Sequence, residues 1–202
     1  MQPSHVVLLG DSILDNGAYV GGGPDVAAQL RGELPDDWTT TLLAEDGAVT
    51  ADVVRQLRKL PPTADRLVIS VGGNDALGYS GLLSEEAGTV SGALAKLAAA
   101  QDSFSAGYSA MAAAVGGLGL PASVCTIYDT PASAPNQRII RTALAVFNDS
   151  ITRAAFAAGF SVIDLRVVCD DDGDYANTIE PSVQGGGKIA RAVAASLLRG
   201  QP

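Results

Sequence analysis

A serine that follows a short apolar run is the first candidate for chemistry in this sequence. Gly10-Asp11-Ser12 comes directly after Val6-Val7-Leu8-Leu9, so the hydroxyl is placed at the carboxyl end of a predicted strand. A serine nucleophile ordinarily needs an imidazole to accept its proton. The only histidine is His5, and because a strand rises ~3.3 Å per residue it lies on the order of 20 Å from Ser12. The pattern indicates a serine hydrolase that lacks the usual base.

The elements that must position this serine alternate between apolar strands and helices. Apolar runs predict strands at residues 5–9, 40–44, 67–71, 123–128 and 161–163. Apolar residues recur at helical spacing around 49–60, 92–115, 140–151 and 189–197. The range 92–115 is compatible with one or two helices. Residues 14–38 are expected to be rich in loops. This alternation is typical of a doubly wound parallel sheet with helices on both faces. We expect it to form a single domain over residues 1–202.

The carboxyl ends of three predicted strands carry groups suited to acyl transfer. Ser12 follows the first strand, Gly47 the second and Asn74 the third, and ligands of such sheets bind beyond these strand ends. The Ser12 hydroxyl can attack a carbonyl carbon. The backbone N–H groups of Ser12 and Gly47, together with the Asn74 side-chain amide, can form an oxyanion hole. Glycine suits position 47 because a side chain there would crowd the substrate.

These motifs, in this order, resemble those of the SGNH hydrolases, also called the GDSL esterase/lipase family. The resemblance rests on Gly10-Asp11-Ser12, Gly47 and the Gly-x-Asn-Asp motif at 72–75, and it extends over essentially the whole chain. It implies an α/β fold, a flavodoxin-like α/β/α sandwich whose five-stranded parallel sheet has the order 2-1-3-4-5. It also implies hydrolysis of small acyl esters, such as short-chain, lysophospholipid or acetylated-sugar substrates, with no cofactor and no metal.

The chain departs from the family at a fourth motif, Asp-x-x-His, which precedes the last helix. Asn177 stands at the aspartate position and Glu180 at the histidine position. Glu180 is therefore a candidate general base for Ser12. The alternative is a structural or binding carboxylate in a catalytically silent protein that binds an acyl or glycan ligand. Because a carboxylate with an ordinary pKa of ~4.3 is a weak base for a hydroxyl, catalysis requires burial to raise that pKa.

Charge and composition limit the classes of partner. The net charge is −9, and an acidic surface repels nucleic acid and anionic membranes. No stretch has the pattern of a signal peptide or the length of a membrane span. We therefore expect a cytoplasmic protein whose partner is a small-molecule ester, although a leader removed earlier would leave no trace. The sequence does not indicate an oligomeric state.

The other polar features of the sequence are interpreted as structural. The acidic run 170–174 lacks the register of a calcium-binding loop and is expected to be solvated. Residues 185–188, Gly-Gly-Gly-Lys, lack the upstream glycine of a phosphate-binding loop and are expected to form a close-packed helix entry. Asp75 is expected to brace a loop. Cys125 and Cys169 are expected to be buried thiols, with a disulfide as the alternative.

Overall fold

A five-stranded parallel sheet forms the centre of the molecule, in the order β2-β1-β3-β4-β5. The structure is a computed structural model that describes residues 3–199. Its strands are β1 His5–Gly10, β2 Thr39–Leu42, β3 Arg66–Ser70, β4 Ala122–Cys125 and β5 Ser161–Ile163. The sheet and its strand order confirm the fold that the sequence motifs imply.

The strands form at short apolar runs because helices cover both faces of the sheet. Residues 6–9 of β1 are all fully buried, which is the pattern of a central parallel strand. Leu8 of β1 lies in register between Leu42 of β2 and Val68 of β3. β4 ends at Cys125, three residues earlier than expected, because its partner β5 has only 3 residues to pair with. Residues 126–128 leave the sheet at this point.

Six α-helices of the described part of the chain surround the sheet. They are α1 Val26–Glu33, α2 Thr50–Leu57, α3 Gly73–Gly78, α4 Val90–Gly116, α5 Gln137–Ala158 and α6 Val183–Arg199. α1 and α6 contribute to one apolar core, and α2, α4 and α5 contribute to a second core on the opposite face. None of the helices between residues 3 and 199 combines the length and the apolar character needed to cross a membrane.

The expectation that residues 14–38 are rich in loops is wrong for α1. The Asp25 carboxylate accepts a hydrogen bond from the N–H of Ala28 and so caps the first turn. Val26, Ala27 and Leu30 are fully buried in the core that α1 shares with α6. A helix of 8 residues is marginal in isolation, and packing of this kind stabilises it. Its short apolar stripe was too weak to predict from the sequence.

The acidic run 170–174 is not solvated throughout, which corrects a second expectation. Asp174 is fully buried, and its carboxylate accepts hydrogen bonds from the N–H groups of Asp170 and Asp171. The Lys188 ammonium lies 2.8 Å from the same carboxylate. A Cβ on Gly185 would lie 2.0 Å from the carbonyl oxygen of Asp174, so the start of α6 is a close-packed helix entry, as expected. Lys188 thus pairs with a charge that would be costly to bury alone.

Candidate active site

Ser12 lies in the turn after β1, and Gly10 makes this turn possible. Gly10 has a φ of 117°, in a region that L-residues rarely adopt. A Cβ at this position would lie 1.7 Å from the Ser70 carbonyl oxygen at the end of β3. The N–H of Asp11 donates to this same oxygen at 2.9 Å. The chain therefore passes against β3 just before it presents the buried Ser12 side chain.

A buried glutamine that the sequence analysis missed holds the same turn. Gln56 of α2 is fully buried. Its Nε2 donates to the Gly10 carbonyl oxygen at 2.8 Å, and its Oε1 accepts from the Gly10 N–H at 2.7 Å. The only sequence signal was an amide within the apolar stripe of a helix, between Val53 and Leu60. Gln56 thereby bonds both backbone groups of Gly10, whose carbonyl oxygen also accepts from the Glu45 N–H at 3.0 Å.

Glu180 accepts a hydrogen bond from the candidate nucleophile. The distance from Ser12 Oγ to Glu180 Oε1 is 3.1 Å, within the range for proton transfer to a general base. Glu180 is only 5% exposed. Burial raises the pKa of its carboxyl above the ordinary value, the Ser12 hydrogen bond partly opposes this rise, and the charge of Asp46 adds to it. This is the direction that a carboxylate base requires.

The second oxygen of Glu180 has no partner among residues 3–199. Oε2 is buried and accepts no hydrogen bond there. A buried carboxylate oxygen without a donor is costly, and at a site of this kind it leaves an acceptor for a substrate or water. Glu180 therefore presents one oxygen to Ser12 and keeps the other free for a further donor.

Asn177 and Tyr128 set the position of Glu180 through the backbone. Asn177 Oδ1 accepts hydrogen bonds from the N–H groups of Ile179 and Glu180, at 2.9 and 3.0 Å. The Tyr128 hydroxyl donates to the carbonyl oxygen of Ile179 at 2.8 Å. The residue at the aspartate position of the family motif thus orients the main chain that carries the carboxylate. Its amide oxygen suffices because both donors are neutral N–H groups.

Asn74 and Gly47 lie on neighbouring turns. Asn74, in the first turn of α3, donates one amide hydrogen to the carbonyl oxygen of Ala48 at 2.9 Å. Because an amide group carries two hydrogens, a second remains for a substrate oxygen. Gly47, the residue before Ala48, has a φ of 77°, and a Cβ there would meet no atom within 4 Å. A side chain at this position would therefore project into open space, and Gly47 is exposed.

Two further carboxyl groups, those of Asp75 and Asp11, lie close to these turns. The Asp75 carboxylate accepts hydrogen bonds from the N–H and the hydroxyl of Thr50, at 2.9 and 3.0 Å, which is the bracing of a loop that the sequence analysis expected. Asp11, which the sequence analysis did not single out, is buried, and its carboxylate accepts from the Ile13 N–H at 3.2 Å. Burial raises the pKa of Asp11 to about 8, and the charges of Glu180 and Asp75 add to the rise. Asp11 is therefore mostly neutral at pH 7.

A cavity of about 340 Å³ opens beside the serine. Ser12, Asn74 and Glu180 line it together, whereas Gly47 is not among its lining residues. The rest of the lining comes mainly from α3, α4, α5, the turn after α3 and the segment 126–135, which contributes Asp129 as well as apolar residues. Its large apolar members include Leu77, Leu82, Leu97, Ile140, Leu144 and Phe147. The cavity can accommodate an apolar group attached to a reacting carbonyl.

The described residues place neither an imidazole nor a thiolate at this site, although the carboxyl groups of Asp11 and Asp129 also line the cavity. The His5 imidazole lies at the amino end of β1, where its nitrogens are 2.7 Å from the Thr63 hydroxyl and 2.8 Å from the Thr41 hydroxyl. Cys125 and Cys169 are buried free thiols rather than a disulfide. Burial raises the pKa of both thiols, so neither provides a thiolate. Among the groups that line the cavity, Glu180 is the carboxylate that the Ser12 hydroxyl contacts by a hydrogen bond.

Known proteins resemble this chain in sequence family and in fold. The GDSL-like Lipase/Acylhydrolase family model matches residues 8–185. An extracellular lipase from Streptomyces rimosus superposes with a TM-score of 0.73 at 19% identity, over 96% of this chain and 99% of the lipase. A phospholipase A1 from Streptomyces albidoflavus gives 0.73 at 16% identity, over 96% and 99%. The acetyl xylan esterase AlAXEase gives 0.70 at 16% identity, over 96% and 99%.

The two kinds of comparison support different statements. No curated protein sequence gives a significant match. At identities below 20%, the structural neighbours establish the fold and nothing finer. The family model spans the nucleophile turn, the Gly47 and Asn74 turns and the Glu180 loop. Because this match extends over most of the chain, the protein belongs to the GDSL-like lipase/acylhydrolase family.

Proposed function

We propose that this protein is a serine ester hydrolase acting on small acyl esters, with Ser12 as the nucleophile and Glu180 as the general base. The observation that carries the proposal is the 3.1 Å hydrogen bond from Ser12 Oγ to a buried carboxylate whose pKa is raised. The names of the structural neighbours, a lipase, a phospholipase A1 and an acetyl xylan esterase, also favour ester substrates.

In the first half of the reaction, Ser12 is acylated. Oγ forms a bond to the ester carbonyl carbon while Glu180 Oε1 takes the hydroxyl proton. The negative charge that develops on the carbonyl oxygen is stabilised by the N–H groups of Ser12 and Gly47 and by the free amide hydrogen of Asn74. As the intermediate collapses, the carbon–oxygen bond to the alcohol breaks. The protonated Glu180 returns its proton to the departing alkoxide.

In the second half, water releases the acid. Glu180, again ionised, accepts a proton from a water molecule that attacks the acyl carbon. Its unpartnered Oε2 is a suitable acceptor to hold that water while Oε1 faces Ser12. The bond between Ser12 Oγ and the acyl carbon then breaks, and Oγ regains a proton from Glu180. The products are the carboxylic acid and the free enzyme.

Reaction with a fluorophosphonate probe tests whether Ser12 is a nucleophile. We expect the wild-type protein to form a covalent adduct at Ser12, found by peptide mass spectrometry, and to hydrolyse p-nitrophenyl acetate. The Ser12→Ala variant should do neither, while Ser84→Ala, in an exposed turn, should behave as wild type. Absence of both labelling and turnover in folded wild-type protein would contradict the proposal. That result would favour a binding protein, to which the replacement of histidine by Glu180 also points.

The pH dependence of kcat/KM provides a second test. Only the ionised carboxylate of Glu180 can accept a proton, and its raised pKa moves ionisation to higher pH. Activity should therefore rise with pH along a limb centred above the ordinary glutamate value of ~4.3. We expect this limb for p-nitrophenyl acetate between pH 4 and 9, with full recovery after return to pH 7. His5→Gln removes the only imidazole and should leave the limb in place. Loss of the acid limb of the pH profile in His5→Gln would contradict a carboxylate as the base.

A further inference from the structure

The catalytic cavity shares a wall with a second cavity. The second cavity has a volume of about 790 Å³. Four apolar side chains border both cavities, and we call them the dividing wall: Leu83, Leu97, Ala134 and Ala143. Leu83 lies in the turn after α3, Leu97 on α4 and Ala143 on α5. The apolar space beside Ser12 therefore reaches the place where α4, α5, the turn after α3 and Ala134 meet.

The two sides of the dividing wall differ in chemistry. On the Ser12 side, the cavity is bordered by leucine, isoleucine and phenylalanine side chains of α4 and α5. On the far side lie Asn136, Gln137, Arg138 and Arg141, and both arginines are exposed. A hydrocarbon chain gains by leaving water for the first cavity. The far side also carries Ala132 and Ile139, so a chain that passed the dividing wall would gain a further, smaller amount.

The volume before the dividing wall sets a length scale. An apolar cavity of ~150 Å³ holds a benzene molecule, which has six carbons. A cavity of about 340 Å³ that must also hold the ester carbonyl then accepts an acyl chain of roughly eight to ten carbons. An acetyl group would leave most of this apolar space unfilled.

We propose that the dividing wall limits the acyl chain, and that the preferred substrates are esters of medium-chain fatty acids, with Ala143 and Leu97 as specificity-determining residues. This inference rests on the proposed function for the choice of an ester as substrate. The fit of the chain depends on the cavity alone. Ala143 leaves room because it is small, and Leu97 closes the route to the second cavity because it is large.

Ala143→Leu tests the proposal by adding bulk at the dividing wall. We expect the ratio of kcat/KM for p-nitrophenyl decanoate to that for p-nitrophenyl acetate to fall at least tenfold, since even one methylene group in an apolar pocket discriminates by roughly 10 to 200-fold. Ala145→Leu makes the same change on the exposed side of α5 and should leave the ratio unchanged. An equal ratio in the two variants overturns the proposal.

Leu97→Ala tests it in the opposite direction. Removing this side chain should join the two cavities and move the optimum in a series of p-nitrophenyl esters from two to sixteen carbons toward longer chains. Leu94→Ala, on the same helix but 60% exposed and outside the cavity lining, is the matched control. An optimum that stays in place, or that moves equally in the control, contradicts the role of the dividing wall.

Calorimetric binding of fatty-acid anions separates this inference from the proposed function. Wild-type protein should bind decanoate at least tenfold more tightly than butyrate, and Ala143→Leu should lose that preference. If the protein hydrolyses no ester but shows this binding pattern, the proposed function fails and the role of the dividing wall stands. If it hydrolyses acetate esters but neither binds decanoate nor prefers its ester, the dividing wall inference fails and the proposed function stands.

Discussion

Replacement of Glu180 by glutamine is expected to lower kcat/KM for p-nitrophenyl acetate by roughly 10² to 10⁴-fold, the contribution of a positioned general base. Glutamine has nearly the same shape as glutamate, whose Oε1 lies 3.1 Å from the Ser12 hydroxyl in the natural protein. It still offers an oxygen to that hydroxyl, but it cannot accept the proton. The rate should be measured above the wild-type acid limb, where the carboxylate is ionised. Glu33→Gln, at the exposed end of α1, is the control for the change in net charge.

A histidine at position 180 should give higher activity than the glutamine of the Glu180→Gln variant. Its imidazole has an ordinary pKa of ~6.5 and is a competent base near neutral pH. We expect Glu180→His to gain most when Asn177→Asp is added, because the new carboxylate can orient the ring and stabilise the imidazolium. Activity that survives in Glu180→Gln but is lost in Ser12→Ala would refute Glu180 as the base. If wild type and Glu180→Gln are equally inert and only the double variant is active, the natural protein is silent.

Gly10→Ala is expected to have the largest effect on stability, a loss of about 4 kcal/mol or more in the free energy of unfolding. The new Cβ would lie 1.7 Å from the Ser70 carbonyl oxygen, and backbone on both sides is held by the sheet and by Gln56. Urea denaturation followed by circular dichroism measures the loss. A variant that fails to fold at all agrees with this expectation.

Gly21→Ala separates the steric clash from the cost of positive φ. Gly21 has a φ of 58°, and a Cβ there would meet no atom within 4 Å. Alanine should therefore cost only the ~1–2 kcal/mol of a left-handed residue. Similar losses in the free energy of unfolding for Gly10→Ala and Gly21→Ala would show that contact with Ser70 of β3 is not what excludes a side chain at position 10.

The sheet, Ser12 and Asn74 could be placed from the sequence because each depends on local pattern, whereas Glu180 was located by its position in the family motif. Short apolar runs located the five strands of β2-β1-β3-β4-β5, and polar residues directly after β1 and β3 had to meet at one edge. Ser12, Asn74 and Glu180 do line one cavity. The sequence could not give the distances on which their roles depend, and those roles remain proposals.

What escaped prediction depends on contacts between distant segments. The burial of Asp174 depends on Lys188, 14 positions along the chain, and its immediate neighbours are acidic residues typical of a solvated loop. Gln56 meets Gly10 across 46 positions, and nothing near either residue indicates the pairing. Asp11 lies in a motif that draws attention to the serine, while its own raised pKa follows from burial by the whole fold.

The amide at position 177 has a consequence for the charge balance of the crevice. Asn177 holds the Glu180 backbone with a neutral oxygen. An aspartate in its place would set a second negative charge three residues from Glu180 and raise the pKa of its carboxyl beyond what burial already does, so that less of the carboxylate is ionised at neutral pH. Beside a histidine, the same aspartate would favour the protonated ring. Asn with Glu, and Asp with His, are therefore each electrostatically consistent pairs, whereas either single exchange brings together a mismatched pair.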